Sequence, residues 1–387
     1  MDSNQEPELS RRSRRAIALI ATSLTVMVVV GLLYLKAGDQ PKAAAPSPIQ
    51  ALDSRYHVSY FFLSQSLGWA IVGDAWGTAG PRLRTFRTVD GAKHWEQLST
   101  IGLTQSRADV RFFDLTHGVL VVLARDGPHL YRTSDGGINW RTIAVPLGSS
   151  MFEAADFTHL WAVAWPDPQK AVARLYSTAD GGQTWTPRSW PEAAIWLTRT
   201  GVDLVNIHFR SNGEGWLIKS GMEPAAYVTE DGGDTWQVRV ISVGVAEGYA
   251  YATQVRLLPV NGVIVVVNKN TGLNRSFTSF DHGATWQPVT LPPEPLRHED
   301  ILYVDSTHWW AWRFTVLSKT SDAGRTWRDV QVGKLLDTWL YYPRVIDSNH
   351  AWALMTSTAE NSRTALAMSS DGGVTWNPVS IPTPRSP

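Results

Sequence analysis

The sequence predicts an all-β fold, a seven-bladed β-propeller of four-stranded antiparallel blades preceded by one N-terminal transmembrane helix. Three observations predict it. One octapeptide recurs seven times along the 387 residues. Apolar strand–turn–strand patterns precede its copies. One uncharged, mostly apolar stretch stands near the N-terminus, at residues 16–35.

The octapeptide occupies 88–95, 133–140, 178–185, 229–236, 279–286, 320–327 and 369–376. Each copy begins with Ser or Thr, and each has Asp at its third position: Asp90, Asp135, Asp180, Asp231, Asp281, Asp322 and Asp371. Each ends in Trp: Trp95, Trp140, Trp185, Trp236, Trp286, Trp327 and Trp376. Successive aspartates are 45, 45, 51, 50, 41 and 49 residues apart. A fixed period of this length marks a repeat architecture. The residue types explain a turn. An Asp side chain accepts hydrogen bonds from backbone N–H groups further on and closes the loop. Gly follows because a tight hairpin needs positive φ. Trp then packs back across the turn or against a neighbouring blade. Ala92, His94, Asn139, His282, Ala284 and Ala323 depart from the commonest pattern and predict less regular turns, not lost blades.

The preceding pattern reads as two strands. Tyr60-Phe61-Phe62 is followed by Gly68-Trp69-Ala70-Ile71-Val72, and His208-Phe209 by Gly215-Trp216-Leu217-Ile218. Alternation and β-branched content favour strands over helices. One unit is therefore strand, turn, strand, loop, strand, octapeptide, strand. Four antiparallel strands in such a period make one propeller blade, and radial repetition leaves only short edges. The propeller is placed at 56–383.

The N-terminus sets the expected address. Residues 16–35 are long enough to cross one hydrocarbon core. Arg11, Arg12, Arg14 and Arg15 precede them, and Lys36 and a Pro/Ala-rich linker over 36–55 follow. The positive-inside rule puts the basic tail, 1–15, in the cytoplasm and the propeller outside the cell membrane. A cleaved signal peptide is the alternative, but its apolar region is usually shorter. The chain has no Cys, which excludes disulfides, thiolate metal sites and thiol nucleophiles. Lys+Arg and Asp+Glu both total 35, so no charge excess points to nucleic acid.

The octapeptides resemble the Asp-box (BNR) repeats of sialidases, sortilin Vps10 domains, bacterial glycoside hydrolases and the photosystem II assembly and stability factor family. The Gly-Trp-aliphatic element ahead of the octapeptide is most similar to that last family of seven-bladed propellers. The resemblance implies a propeller that assists assembly of a membrane complex. Sialidases instead imply catalysis through an arginine triad, a Tyr nucleophile and an acid/base Asp. Phe86-Arg87-Thr88-Val89 and Tyr131-Arg132-Thr133-Ser134 resemble the first sialidase arginine motif only superficially, because they run straight into an octapeptide. A two-carboxylate glycosidase would draw on Asp74, Asp126, Asp167, Glu223, Glu299 or Asp300, which nothing pairs in sequence. The reading is a binding module with no catalytic residues and no cofactor. A carbohydrate-binding or glycosidase propeller acting on cell-surface glycans is the alternative.

In a propeller the octapeptides share one face with the turns between first and second strands. The remaining loops meet at the other face, and the partner, protein or glycan, is expected there. Those loops carry Trp76, Arg82, Arg84, Trp165, Arg174, Trp190, Trp196, Arg199, Arg275, Arg297 and Arg363. Mixed Trp and Arg is what interface hot spots favour. No metal site is expected, because no His pair has ligand spacing and the aspartates stand one to a blade.

Overall fold

The structure, a computed structural model, describes residue 52 and most of 56–384. Residues 1–51, 53–55, 75–81, 103–106, 125–126, 166–172, 192–205, 220–224, 241–249, 259–261, 270–273, 291–300, 314–315, 331, 333–337, 358–363 and 385–387 lie outside the description. The expected membrane anchor at 16–35 therefore lies outside the described residues. Among those described, no helix is long and apolar enough to cross a membrane.

Seven four-stranded antiparallel sheets follow one another along the chain, at 56–102, 107–143, 149–188, 206–240, 250–289, 301–330 and 338–379. In sheet 1, β1 (Tyr56–Phe62), β2 (Gly68–Asp74), β3 (Arg82–Thr88) and β4 (Glu96–Gly102) pair in sequence order. The other six sheets repeat that order, and the octapeptide always joins third strand to fourth. The molecule is a β-propeller.

The core lies between sheets rather than within one. Trp69, Ile71 and Leu83 of sheet 1 pack on Val110, Phe112 and Leu120 of sheet 2. Trp310, Trp312 and Leu317 of sheet 6 pack on Leu340, Ala351 and Ala353 of sheet 7. Second strands are the most buried: Trp69, Trp216, Trp309 and Trp352 are each at most 1% exposed. That explains their continuous apolar runs, since both faces are covered.

One size rule governs three of these interfaces. The last residue of the first strand pairs with the first residue of the second, as Phe62 with Gly68, Phe112 with Gly118 and Phe209 with Gly215. Each ring lies over its glycine; a Cβ on Gly118 would come within 2.8 Å of the Phe112 ring. The same ring stacks on the preceding sheet's Trp: Phe112 lies 3.7 Å from Trp69, Phe209 4.2 Å from Trp161 and Phe62 4.1 Å from Trp352. Sheet 3 inverts the sizes and pairs Ala154 with Leu160.

The last sheet meets the first. Leu52 exchanges two 2.8 Å backbone hydrogen bonds with Thr364. The Tyr60 hydroxyl donates to the Tyr342 and Trp352 carbonyls at 2.6 and 3.0 Å. Ile381, Leu52, Phe62 and Trp352 share one cluster.

Candidate functional site

The octapeptides form one lock, repeated seven times. The Ser or Thr hydroxyl donates to the Asp and accepts from the backbone N–H four residues on. In the fourth copy these bonds are Thr229 Oγ1 to Asp231 at 2.7 Å and Gly233 N to Thr229 Oγ1 at 2.9 Å. The Asp then accepts the backbone N–H and the side chain of the seventh residue. Thr235 supplies them at 2.9 and 2.6 Å, His94 at 2.9 and 2.6 Å, and Asn139 at 2.9 and 2.8 Å. The departures at Ala92, His94, Asn139, His282, Ala284 and Ala323 thus leave the lock intact, contrary to the less regular turns expected from sequence. Ala92, His282 and Ala323 take φ of 69°, 55° and 58°, the left-handed values that glycine takes elsewhere in the lock.

These bonds hold the aspartates ionised. The Asp322 carboxyl is lowered to about 2, first by the Thr326 hydroxyl and then by the Thr326 N–H and the Thr320 hydroxyl. Asp281 is lowered to about 2, chiefly by Thr285. At Asp231 partial burial works against the shift, but bonds from Thr235 and Thr229 outweigh it and hold the carboxyl at about 2. Six of the locks also sit on their own sheet's first turn, as where Gly136 N donates to Thr116 O at 2.8 Å and Gly372 N to Asn349 O at 2.8 Å. The locks and first turns therefore share one face. In four sheets that turn has its own clamp, with His117, His159, His308 and His350 each held by the Asp three residues earlier. No group of three metal-ligating side chains occurs among the described residues.

The octapeptide tryptophans join sheet to sheet. Trp185 Nε1 donates to Ala144 O at 2.8 Å, Trp236 to Ser189 O at 3.0 Å and Trp327 to Thr290 O at 2.5 Å. Each acceptor immediately follows the preceding sheet's fourth strand. Trp95 makes the same bond to Ser380 O at 2.9 Å, across the first and last sheets. Trp376 instead reaches its own lock at Gly373 O. Trp140 and Trp286 have indole N–H groups with no partner among the described residues. Arg87 and Arg132 lie on third strands, and Arg132 donates to Gly181 O of the next lock at 2.9 Å.

The opposite face holds the loops, and the structure divides their candidate residues. Arg82 and Arg174 are exposed at the first positions of third strands. Arg84 is paired with Asp74 at 2.8 Å, and Arg82 N donates to the same carboxylate at 2.9 Å. Asp74 is the one glycosidase candidate among the described residues, and these bonds commit it. Trp165 and Trp190, expected on the binding face, are half-buried and pack against the cluster joining sheets 3 and 4. Arg275 lies in the third strand of sheet 5 (Asn274–Ser279). Trp76, Trp196, Arg199, Arg297 and Arg363 lie outside the described residues, as do Asp126, Asp167, Glu223, Glu299 and Asp300.

Sequence reasoning missed the charges that the first strands bring together. First strands of consecutive sheets contact one another, as in sheets 1 and 2 or 4 and 5. Asp109 of sheet 2 lies 3.6 Å from Arg344 of sheet 7, and Glu153 of sheet 3 lies 3.3 Å from His208 of sheet 4. The available signal was a charged or titratable residue within a first strand, Asp109 in Arg107–Phe112 and His208 in Asn206–Phe209.

No protein-family model matches the chain, and no curated protein matches it in sequence. Solved structures do. The chain is similar to YCF48 bound to a D1 peptide, at 18% identity over 84% of this chain and 98% of that one, with a TM-score of 0.52. It is similar to YCF48 from Cyanidioschyzon merolae at 16% identity over 84% and 97%, with a TM-score of 0.55. The β-propeller domain of the Trilobed protease from Pyrococcus furiosus matches at 10% identity over 82% and 96%, with a TM-score of 0.51. The shared feature is the propeller fold. Identities this low carry the fold alone.

Proposed function

We propose that the chain is a non-catalytic binding propeller that holds a protein partner on its loop face and assists assembly of a membrane or envelope complex. Residues 16–35 anchor it in the cell membrane, with the propeller on the extracytoplasmic side. One observation carries the reading. Leu52 joins the ring at Thr364, the first residue of its third strand. The tethered end of the chain therefore enters on the face that carries Arg82 and Arg174. The propeller YCF48 has been solved with a D1 peptide bound, so a ring of this fold can hold a protein segment.

The chain has no Cys, so single cysteines report its topology cleanly. Ser3→Cys and Ser321→Cys, each alone in the full chain, are exposed to a membrane-impermeant maleimide on intact cells. The expected result is labelling at 321 and none at 3. Labelling at 3 alone overturns the proposed location. Hydrolysis of a glycan by the purified full chain, abolished by Asp74→Asn, would replace the binding reading with a glycosidase.

A further inference from the structure

Three third strands carry a cation immediately before the lock: Arg87, Arg132 and Lys319. The cross-strand partner of each decides its fate. Arg87 stands opposite Glu96 and forms an ion pair at 2.9 Å. Arg132 stands opposite Arg141, but it donates to the Asp180 and Gly181 carbonyls at 3.3 and 2.9 Å and lies 4.2 Å over the Phe157 ring. Lys319 stands opposite Arg328, and like charges directly opposite are destabilising. Its ammonium has one weak bond, 3.3 Å to Ser348 O, and rests 3.9 Å from the Trp310 ring. Burial, and then Arg328, push the amine down to about 8, against the opposing pull of Asp371.

Both cations line a cavity of about 520 Å³ between sheets 6 and 7 on the lock face. The two nearby carboxylates keep their charge but are turned to neutral donors rather than to either cation. Asp371 accepts from Ser369 and Thr375, and Asp329 from Ser318. No described carboxylate forms an ion pair with Lys319 or Arg328. A half-buried cation beside a second cation, neither in an ion pair and both open to one cavity, can accept a monoanion between them, while Asp329 and Asp371 on the same lining limit the charge it takes.

We infer that this cleft is a second binding site, distinct from the loop face, and that it takes a ligand bearing a single carboxylate between Lys319 and Arg328 with its apolar part against Val374. A carboxylate matches the planar Arg fork, and Lys supplies a point charge beside it. Asp329 and Asp371 line the same cleft and repel a dianion more strongly, so phosphate is disfavoured. The volume suits a small acid or one acidic side chain of a larger molecule.

The test uses the full chain in detergent, with lysines carrying ¹³C-methyl groups and the Lys319 resonance assigned by its loss in Lys319→Arg. Sodium acetate, sodium phosphate and sodium chloride are titrated at matched ionic strength. Acetate is expected to shift the Lys319 signal saturably and to leave the other lysines unmoved. Arg328→Gln, at an exposed position, should raise the acetate concentration needed about tenfold, as for one lost charge-assisted hydrogen bond. A capped Ala-Glu-Ala peptide that saturates below acetate identifies a larger partner's side chain as the source; the reverse identifies a small free acid, and either order supports the site. An acetate response no larger than that of chloride overturns the proposal. So does phosphate saturating at lower concentration than acetate, or an Arg328→Gln variant that binds acetate unchanged.

Discussion

At the scale of single residues, the interfaces depend on where one side chain makes room for another. Gly118 is small because Phe112 lies over it, and sheet 3 solves the same problem with Ala154 and Leu160. Gly118→Leu alone overpacks the interface and is expected to cost about 3 kcal/mol or more. Phe112→Ala alone leaves a cavity and costs about 3–5 kcal/mol. The double variant copies sheet 3, and urea unfolding should show it less destabilised than the sum by about 1–3 kcal/mol. Strict additivity would contradict the size rule. Ala323 makes a second residue-scale case. Its φ of 58° strains an L-residue, so Ala323→Gly is expected to stabilise by about 1 kcal/mol. Ala92 shares the strain but is fully buried in the cluster joining first and last sheets, so its Gly variant gains less.

At the scale of one element, the lock makes pH a probe. The carboxyls of Asp281 and Asp322 fall from the ordinary 3.8 to about 2 in the folded chain. A carboxyl lowered by folding stabilises the native state above its unfolded pKa and loses that contribution as pH falls through the folded one. The melting temperature should therefore hold steady down to about pH 4 and drop between there and about pH 2. Asp322→Asn should lower stability at neutral pH and shrink that drop. An unchanged acid limb in the Asn variant would mean the lock does not hold the carboxylate. The tryptophans give a paired test. Trp236→Phe loses a bond to the neighbouring sheet and should cost about 1 kcal/mol more than Trp140→Phe, whose N–H has no described partner. The lock was legible in sequence because all its partners lie within eight residues. The Lys319–Arg328 pair was not, because they become neighbours only once the register across the lock is known. The cation ahead of the lock at Arg87, Arg132 and Lys319 was the available signal.

At the scale of the whole molecule, closure reuses the device that joins neighbouring sheets. Trp95 bonds to Ser380 as Trp236 does to Ser189, and Ser380 Oγ also donates to Ala92 O at 2.6 Å. Ending the chain after Val379 removes these bonds and the buried Ile381, and is expected to cost about 2–4 kcal/mol by chemical denaturation. The strand order was readable from the repeat. The packing of Trp165 and Trp190 on the cluster joining sheets 3 and 4 was not, since sequence alone does not tell which surface an amphipathic ring covers. Arg82 and Arg174 keep the exposure that a partner face requires. The central claim is that the partner sits on that face. Its most direct test places a photocrosslinking amino acid at Arg174 or, in the second lock and away from the Lys319 cleft, at the exposed Ile138 of the full chain, followed by irradiation in the native membrane and mass spectrometry. A discrete protein adduct is expected from Arg174 and none from Ile138. Adducts from Ile138 alone, or the same background from both positions, would place the partner elsewhere.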